Sequence, residues 1–532
     1  MNLKYIIVQA GGKGTRMEHL TRNKPKALVP IDNLPMLFHL FRKFPDRLFL
    51  IIGDYRYDVL DRYMRAFADV SYKMIDARGK KGTCAGIKDA LCHVPDGEPF
   101  MLTWCDLILP EEYEIPPVIN NYIGISKDFR CRWSYRDGEF EESPSTDHGV
   151  AGHFLFAEKS EIAGVPEEGE FVRWLRDAGI PGRSRRGELV TGNAGSLSPE
   201  MKKRDNENDC GFIELPLYHT KEYGLISEYP EQKGGRCRPF NRITIDGDRI
   251  IKEGIDDQGR ALAVRERAWY EKVKDEDFLN IPEIYETDPL IMERIDGKNI
   301  FEYNLSYEQK KRVLGQLVQC LNSLHDLDGC DADEESYREA YIGKTFDRLE
   351  KVRQLVPFAD DEYVYINGMR CRNVFYCREE LEEAVMGYMP GEFRFLHGDC
   401  TFSNMMLRSD GSPVMIDPRG YFGLTELYGD PAYDWVKLYY SIVGNYDQFN
   451  LRRFRLEINE TDVSLEIDSN GWEDMEDEFF SLLEGQVTRH QMKLLHAIIY
   501  LSLTTYAWED YDSICGAFYK GLLLLDEAMR MQ

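Results

Sequence analysis

Two short apolar segments, each followed by acidic side chains, constrain the fold of this chain more than any other feature. The first, residues 395–396, leads into a His-Gly-Asp triplet that ends at Asp399, and Asn404 follows five positions later. The second, residues 414–416, ends in Asp417. Apolar runs of this length, bounded by turn residues, are typical of buried strands. The pattern predicts two core strands that deliver Asp399, Asn404 and Asp417. A buried Asp and Asn that cap a turn between two core strands are the alternative.

These side chains suit phosphoryl transfer from ATP. That reaction needs an acidic residue to take the proton of the attacking hydroxyl, and oxygen ligands that hold Mg²⁺ against the phosphates. The protein-kinase catalytic loop has the same Asp-x-x-x-x-Asn spacing, followed by a strand and a metal-binding Asp. On this interpretation Asp399 is the base, and Asn404 and Asp417 are the metal ligands.

The same stretch resembles the aminoglycoside phosphotransferase and choline kinase superfamily, whose signature is His-Gly-Asp, then Asn, then a strand that ends in Asp. The resemblance implies a two-lobed, protein-kinase-like fold with ATP as a substrate. After the last Asp those families often carry an aromatic or acidic residue, whereas residues 418–423 here contain Arg419. Arg419 either neutralises phosphate charge or forms a structural salt bridge, and the sequence leaves both open.

A hairpin is predicted upstream of this stretch. Residues 241–252 form two alternating runs around an Asp-Gly dipeptide, which is a strong hairpin signal. The next segment, residues 261–273, has helical character and carries Glu266. Phosphotransferases hold the ATP phosphates with a strand lysine paired to a helix glutamate. Lys252 and Glu266 fill those places, with Glu271 as the alternative partner.

Two further segments of this half supply candidate binding residues. Residues 290–295, which include Glu293, have the form of the lobe-connecting strand that contacts adenine through its backbone. Tyr506 and Trp508 lie beside acidic residues near the last helices. Aromatic faces and carboxylates suit quaternary ammonium groups, so Tyr506 and Trp508 are candidates for the pocket of a cationic acceptor. Aromatic core packing is the alternative.

A glycine-rich loop follows the first strand-like segment of the chain, residues 4–8. Glycines let backbone N–H groups approach phosphate oxygens, so a loop of this kind suits anions. Arg16 and Lys26 bring two cations to the loop. The nucleotide-binding candidates within it are Gly11, Gly12, Gly14 and Thr15.

The sequence Gly-Gly-x-Gly-Thr-Arg at residues 11–16, paired with Lys-Pro-Lys-x-Leu-Val-Pro at residues 24–30, resembles the sugar-phosphate nucleotidyltransferase family. The resemblance implies a Rossmann-like α/β domain that binds a nucleoside triphosphate. It further implies that Arg16 and Lys26 stabilise charge on the triphosphate and that the loop at Gly82 contacts the nucleotide.

The resemblance also assigns metal and acceptor positions. Asp106 follows an apolar strand and corresponds to the family's Mg²⁺ ligand, although a strand-terminal Asp also occurs in ordinary loops. The family's Glu-Lys-Pro signature reads Glu142, Ser143 and Pro144 here. The replaced lysine normally touches the acceptor, so Glu142 is a substrate-binding candidate and the identity of the acceptor stays open.

The chain has 532 residues, more than one hydrophobic core usually supports, which predicts at least two domains. We expect a nucleotidyltransferase domain over residues 1–228 and a kinase-like domain over residues 229–532. Within the second domain we expect a small lobe over 233–296 and a large lobe over 297–532. The predicted fold class is α/β: a Rossmann-like domain followed by a two-lobed α+β phosphotransferase domain.

Net charge and cysteine usage indicate which classes of partner and which compartment the protein has. The net charge of -27 argues against nucleic acid, because phosphate backbones are held by Lys and Arg. The 12 cysteines show no metal or disulfide spacing, which indicates reduced thiols and a cytoplasmic protein. No apolar run reaches about 18 residues, and the first residues lack signal-peptide character, so we expect no membrane insertion.

Two transferase halves on one chain suggest consecutive steps. The kinase half would phosphorylate a small hydroxyl substrate with ATP, and the other half would join the product to a second NTP, most simply CTP or UTP. A sugar acceptor would give an NDP-sugar for surface polysaccharide, whereas choline or another amino-alcohol would give a CDP-alcohol. A third hypothesis makes one half a non-catalytic regulatory module. The base preference, any homo-oligomer and any channelling between sites are not readable from the sequence.

Overall fold

The computed structural model describes residues 3–178, 211–229, 241–276 and 278–531. These residues fall into two compact units with bounds Met1–Glu231 and Gln232–Gln532. Residues 181–209, which are rich in Gly, Arg, Ser and Asn and are therefore expected to form a loop or insertion, lie outside the described residues, as does the predicted start of the small lobe at 233. The domain boundary after residue 228 stays a prediction.

The N-terminal unit combines a mixed β-sheet with short helices. Its strands are β1 (Tyr5–Gln9), β2 (Pro30–Ile31), β3 (Leu34–Pro35), β4 (Leu48–Gly53), β5 (Ser71–Asp76), β6 (Phe100–Trp104), β7 (Leu107–Ile108), β8 (Tyr122–Ser126), β9 (Ser134–Arg136), β10 (Glu139–Glu141), β11 (Gly149–Phe156), β12 (Ile213–Leu217) and β13 (Lys221–Glu222). Its helices are α1 (Met36–Lys43), α2 (Tyr57–Phe67), α3 (Ile87–Leu91) and α4 (Phe171–Ala178).

The main sheet runs in the order β10-β9-β11-β6-β1-β4-β5, and β8 and β12 extend it beside β11. Strands β6, β1, β4 and β5 are parallel, while β11 is antiparallel to β6. Strands covered on both faces read as continuous apolar runs, which is why β1 and β4 were predictable from sequence. The predicted strand at 4–8 is confirmed to within one residue by β1, and the apolar strand predicted before Asp106 is β6, which ends two residues before it.

Strand register decides where the loops of this unit meet. Gln9 at the end of β1 lies opposite Ile52 of β4 and Trp104 of β6. The carboxyl ends of three parallel strands therefore share one edge of the sheet, and ligands of open α/β sheets bind at such edges.

His153 of β11 is a fully buried polar group beneath this edge. Its ring nitrogens lie 3.2 Å from Thr103 Oγ1 and 2.7 Å from the Tyr113 hydroxyl. Burial lowers the pKa of His153 to about 4, so the ring is neutral at pH 7. It serves the packing between β11 and β6.

The C-terminal unit begins with a small antiparallel sheet and continues as a largely helical body. Its strands are β14 (Asn241–Asp246), β15 (Arg249–Gly254), β16 (Ile284–Thr287), β17 (Leu290–Glu293), β18 (Gly297–Asn299), β19 (Gly329–Asp331), β20 (Tyr363–Ile366), β21 (Met369–Arg372), β22 (Glu392–Phe395), β23 (Met405–Arg408), β24 (Pro413–Met415), β25 (Tyr421–Phe422), β26 (Thr425–Glu426), β27 (Tyr428–Gly429), β28 (Phe454–Ile458) and β29 (Val463–Ile467). Its helices are α5 (Asp257–Asp275), α6 (Tyr307–His325), α7 (Glu334–Arg338), α8 (Lys344–Val352), α9 (Arg378–Met386), α10 (Pro431–Ile442), α11 (Tyr446–Asn450), α12 (Glu476–Leu482), α13 (Arg489–Ser502) and α14 (Tyr511–Met529).

The predicted hairpin is β14–β15, which turns at Gly247 with a φ of +61°. The four-stranded order among the described residues is β14-β15-β17-β16, and α5 packs on β15. The helices α13 and α14 pack against each other in the core of the larger body, as their apolar sequences predict. Among the described residues, no helix combines the length and apolar character needed to cross a membrane.

Candidate active sites

The glycine-rich loop after β1 approaches its neighbours too closely for larger residues. A Cβ on Gly11 would lie 2.9 Å from the backbone nitrogen of Asp54, and Gly14 adopts a φ of +62°. Gly12 is exposed, as are Thr15 and Arg16. Among the described residues, none accepts a hydrogen bond from the backbone N–H of Gly11, Gly12 or Gly14. The loop therefore presents backbone donors and the Arg16 guanidinium, as an anion site requires.

Lys26 and Asp106 come from distant parts of the chain and form an ion pair next to this loop. Lys26 is buried, and its backbone N–H reaches the carbonyl of Gly12. Burial lowers the pKa of Lys26, but the Asp106 carboxylate outweighs that effect and holds the pKa above its ordinary value. Lys26 is therefore a permanent cation beside the loop.

The loop that carries Gly82 is braced from two sides. Gln9, the last residue of β1, donates from Nε2 to the carbonyls of Thr83 and Ala85 at 2.7 and 3.1 Å. A Cβ on Gly82, whose φ is +84°, would fall 2.2 Å from the carbonyl oxygen of Gly169. Sequence analysis did not identify Gln9 as a site residue, and its position at the end of a strand was the only signal for it.

Glu142 pairs with two arginines and not with the Lys26–Asp106 pair. Its carboxylate forms ion pairs with Arg132 and Arg173 on the surface. These guanidiniums hold the pKa of Glu142 below its usual range. A role for Glu142 with the acceptor stays a prediction.

In the C-terminal unit, Lys252 joins two of the predicted acidic residues. Its Nζ lies 2.9 Å from Glu266 and 2.6 Å from Asp417. Burial lowers the pKa of Lys252, but the two carboxylates outweigh it and the pKa lies above the ordinary value. Burial raises the pKa of Glu266 to about 7, against the opposing effect of Lys252. The geometry selects Glu266 over Glu271, which instead accepts a hydrogen bond from Thr287.

Asp399, the predicted base, is held by a lysine that sequence reasoning missed. Lys437 Nζ lies 2.9 Å from Asp399 Oδ1, and Asn404 Nδ2 donates to Asp399 Oδ2 at 3.0 Å. Burial raises the pKa of Asp399, but Lys437 outweighs it, so the pKa lies below the ordinary value and the carboxylate is ionised. Lys437 stands three positions after Asp434 on α10, a helical spacing that was the only signal for it.

The His-Gly-Asp turn is fixed by hydrogen bonds to its backbone. Asp434 accepts from the N–H groups of His397 and Gly398 at 2.9 and 2.7 Å, and His325 Nε2 lies 3.1 Å from the same carboxylate. His397 Nε2 lies 3.0 Å from the carbonyl of Ile416, which joins the turn to the strand before Asp417. These hydrogen bonds use both carboxylate oxygens of Asp434 to hold the loop in place.

Helix α5 is tied directly to this loop. Trp269 donates from Nε1 to the carbonyl of Leu396 at 2.7 Å and stacks on Phe395. Because Glu266 lies one turn earlier on the same helix, this contact sets the position of Glu266 relative to Asp399.

The remaining candidates differ in how the structure places them. Arg419 donates to the hydroxyls of Tyr433 and Tyr421, both at 2.7 Å, so its partners are not those of a structural salt bridge. Glu293 pairs with Arg408, and its backbone N–H donates to the carbonyl of Glu283.

The aromatic candidates near the end of the chain lie close to a cation of the same domain. Tyr506 lies 5.8 Å from the guanidinium of Arg348, which already supplies a cation near its ring. Trp508 is half-buried. Arg348 would repel a quaternary ammonium group beside Tyr506, and a role for Tyr506 and Trp508 with a cationic acceptor stays a prediction.

Both sites contain oxygen ligands suited to Mg²⁺. Asn404 uses its Nδ2 to hold Asp399, which leaves its Oδ1 as an acceptor, and the Asp417 side chain is 47% exposed. Asp106 supplies a carboxylate in the N-terminal unit. Magnesium is commonly held by one or two protein oxygens together with substrate phosphates, so these residues fit the ion.

Comparison with protein families finds one match in each half of the chain. The MobA-like NTP transferase domain matches residues 6–158, and the phosphotransferase enzyme family matches residues 255–462. This chain joins a nucleotidyltransferase domain to a phosphotransferase domain. The first match contains the glycine loop and Asp106, and the second contains Asp399, Asn404 and Asp417.

Individual relatives match the chain in part. A UTP–glucose-1-phosphate uridylyltransferase from Haloferax volcanii is 25% identical over 166 residues, which cover 30% of this chain and 65% of the relative. The bifunctional protein GlmU of Methanococcus vannielii is 23% identical over 273 residues, or 47% of this chain and 61% of that protein. The chain thus spans less than two thirds of either relative. The solved inositol-1-phosphate CTP transferase from T. maritima is 12% identical, covers 42% of this chain and 91% of its own, and has a TM-score of 0.31.

Proposed function

We propose that the two domains catalyse consecutive reactions. The phosphotransferase domain transfers the γ-phosphoryl group of ATP to a hydroxyl of a small substrate. The nucleotidyltransferase domain then joins the phosphorylated product to the nucleotidyl group of a second NTP and releases pyrophosphate. The final product is an NDP-activated precursor, most simply an NDP-sugar for surface polysaccharide, made in the cytoplasm where nucleoside triphosphates are supplied.

One observation carries this proposal. In each domain a buried lysine suited to phosphate is ion-paired with the carboxylate assigned to Mg²⁺: Lys26 with Asp106, and Lys252 with Asp417. A cation next to a metal-binding carboxylate is the arrangement that grips a Mg²⁺–triphosphate complex. The presence of both pairs argues against a degenerate, regulatory half.

In the phosphotransferase reaction, the acceptor oxygen forms a bond to the γ-phosphorus while the bond to the bridging β,γ-oxygen breaks and ADP leaves. Asp399 accepts the proton of the acceptor hydroxyl, and its ionised state suits that role. Lys252 neutralises phosphate charge, and Glu266 orients it. Mg²⁺ bound by Asn404 and Asp417 would add charge stabilisation to the phosphates.

In the nucleotidyl transfer, the acceptor's own phosphate attacks the α-phosphorus of the NTP. A bond forms between that phosphate oxygen and the α-phosphorus, the α,β bridge breaks, and pyrophosphate leaves. Lys26, Arg16 and the glycine-loop N–H groups stabilise the charge that develops. No side-chain nucleophile is required.

Three observations bear on the choice of acceptor. The name of the Haloferax volcanii relative refers to glucose 1-phosphate, which favours a sugar phosphate as the nucleotidyl acceptor and UTP as the second nucleotide. Ser143, where the family has a lysine, favours a different acceptor such as a phosphorylated amino-alcohol with CTP. Arg348 beside Tyr506 argues against the amino-alcohol in the phosphotransferase domain.

Two substitutions test whether the sites are separate. Asp399→Ala should lower ATP-dependent phosphorylation by about 10³-fold and leave nucleotidyl transfer unchanged. Arg16→Ala should lower nucleotidyl transfer by about 10²-fold and leave phosphorylation unchanged. Substrates come from a screen of sugars and alcohols with ATP, followed by each product with CTP, UTP, GTP and dTTP.

The exposed residues Asp361 and Arg62 provide matched controls, and Asp361→Ala and Arg62→Ala should retain both activities. Loss of both activities in either active-site variant, with the fold intact by circular dichroism, would contradict two independent sites. A regulatory half would instead bind nucleotide in calorimetry without turnover.

A further inference from the structure

Four cationic side chains gather beside the base of the phosphotransferase domain. Lys344 and Arg348 lie one turn apart on α8, Arg419 follows Asp417 in the chain, and Lys437 lies on α10. We refer to Lys344, Arg348, Arg419 and Lys437 as the cationic cluster. It stands out because the chain as a whole carries 93 acidic against 66 basic residues.

The ring of Tyr433 lies among three members of the cluster. Lys344 Nζ is 5.4 Å from the ring centroid, and Lys437 Nζ is 6.0 Å from it. Arg419 Cζ is also 6.0 Å away, and its guanidinium donates to the Tyr433 hydroxyl. Three basic side chains therefore surround one aromatic ring at short range.

The cluster is poorly neutralised by protein carboxylates. Lys437 is paired with Asp399. In the part of the chain that the structure describes, no carboxylate oxygen lies within 4.0 Å of a charged nitrogen of Lys344, Arg348 or Arg419. Arg348 donates to the backbone carbonyl of Ser502, which carries no net charge.

Like charges at these distances repel, and the pKa values of Lys344 and Arg348 record it. Burial lowers the pKa of Lys344 well below its usual range, and Arg419, Arg348 and Lys437 lower it further. Burial, followed by Arg419, also lowers the pKa of Arg348. Burial also lowers the pKa values of Arg419 and Lys437, but neighbouring tyrosines and Asp399 outweigh it, so these two pKa values lie above their ordinary range. A cluster of partly buried cations with one carboxylate among them is electrostatically costly unless an anion joins it.

We propose that the phosphotransferase domain takes an anionic acceptor: a small alcohol that also carries a carboxylate or phosphate group. Lys344, Arg348 and Arg419 bind the anionic group, and Asp399 receives the proton of the hydroxyl that attacks ATP. The proposal rests on the kinase function proposed above and specifies its substrate class.

The ATP phosphates are the alternative anion for this cluster. Lys252 already provides a cation for them, next to the proposed metal ligand Asp417. The cluster is linked instead to Asp399, through Lys437, and the base marks the acceptor side of the reaction. The observations therefore favour the acceptor.

Matched pairs of alcohols test the substrate class directly. Release of ADP by the full chain is measured with glycerol against D-glycerate and glycerol 3-phosphate, with D-glucose against D-gluconate and D-glucuronate, and with choline. The anionic member of a pair should have a kcat/KM at least about 10-fold above its neutral partner, and choline should not be turned over. Preference for neutral alcohols or for choline would overturn the proposal and leave the kinase function intact.

Variants separate the acceptor from ATP. Lys344→Met and Arg348→Met should each raise the KM of the anionic acceptor by about 10- to 100-fold and change the KM of ATP less than about 3-fold. Arg348→Lys should restore part of the affinity because it keeps the charge. Lys311→Met, at an exposed lysine on α6, is the control and should match the unsubstituted protein. A rise confined to the KM of ATP would assign the cluster to the nucleotide and refute the proposal.

If no alcohol is turned over, calorimetry tests directly whether the cationic cluster binds an anion. Calorimetry with D-glycerate and with inorganic phosphate is done in an Arg16→Ala background, which weakens the anion site of the other domain. Binding that Lys344→Met and Arg348→Met abolish supports the proposal, and binding that is absent or unchanged in them overturns it. Failure of the kinase function itself would show differently, as ATP-dependent phosphorylation that survives Asp399→Ala.

Discussion

Asp434→Asn tests whether a buried carboxylate holds the catalytic turn in place. The two oxygens of Asp434 accept from the N–H groups of His397 and Gly398 at 2.9 and 2.7 Å. Asparagine has nearly the same shape, but one of its two terminal atoms is a donor. Whichever way the amide is oriented, one backbone N–H would face an NH₂ group and lose its acceptor.

The size of the effect follows from burial. Asp434 is fully buried, so water cannot replace the lost acceptor. A hydrogen bond to a charged group contributes about 1.5–3 kcal/mol, and an unsatisfied buried donor adds a penalty of similar size. We expect the free energy of unfolding of the C-terminal unit to fall by about 3–5 kcal/mol, or about 5–10 °C in melting temperature. Displacement of Asp399 by about 1 Å would lower the kinase rate by about 10²-fold.

Chemical denaturation and the two separate activity assays measure these effects. Nucleotidyl transfer should be unchanged, because Asp434 belongs to the other unit. Asp474→Asn is the matched control: this carboxylate is 48% exposed and pairs with Lys310, so its loss should cost less than about 1 kcal/mol. Kinase activity within 3-fold of the unsubstituted protein, together with unchanged unfolding of the C-terminal unit, would refute the bracing role.

Two further predictions concern the nucleotidyltransferase domain. Gly82→Ala should lower nucleotidyl transfer by about 10-fold or more in a steady-state assay, because its Cβ would lie 2.2 Å from the Gly169 carbonyl oxygen and would displace the Gly82 loop. Gly79→Ala is the control, since Gly79 has a similar positive φ but open space around it. The folded state holds the pKa of His153 at about 4, below the 6.5 of the unfolded chain, so its stability contribution is complete above pH 6.5 and is lost as the pH falls towards 4. Denaturation curves across that range should show a loss of about 3 kcal/mol that His153→Gln removes, and an equal loss in the variant would contradict this assignment.

Local patterns in the sequence were sufficient for the elements that carry the chemistry. The apolar runs predicted β1 and β6, the Asp-Gly dipeptide predicted the β14–β15 hairpin, and helical character predicted α5. The spacing of Asp399, Asn404 and Asp417 likewise reflects a local turn followed by a strand, which short-range sequence determines.

Residues that act through long-range contacts were harder to find. Gln9 braces the Gly82 loop across more than seventy positions, and Lys437 on α10 reaches Asp399 across more than thirty. The Lys252–Glu266 pair was found because the resemblance supplied the partners. The family resemblance supplied no role for Lys344 or Arg348, so the sequence did not identify them.

The sequence by itself determined the two transferase halves, the glycine loop of the first, the set Asp399, Asn404 and Asp417 of the second, and the strands that carry them, since each depends on neighbours a few positions apart. Only the tertiary structure decided which distant charges meet. Parallel pairing of β1 with β6 brings Asp106 to Lys26, and the packing of α8 and α10 around the turn at Asp399 gathers the cationic cluster. Electrostatic energy depends on separation in space, which sequence distance does not report, so the cationic cluster became visible only in the folded chain.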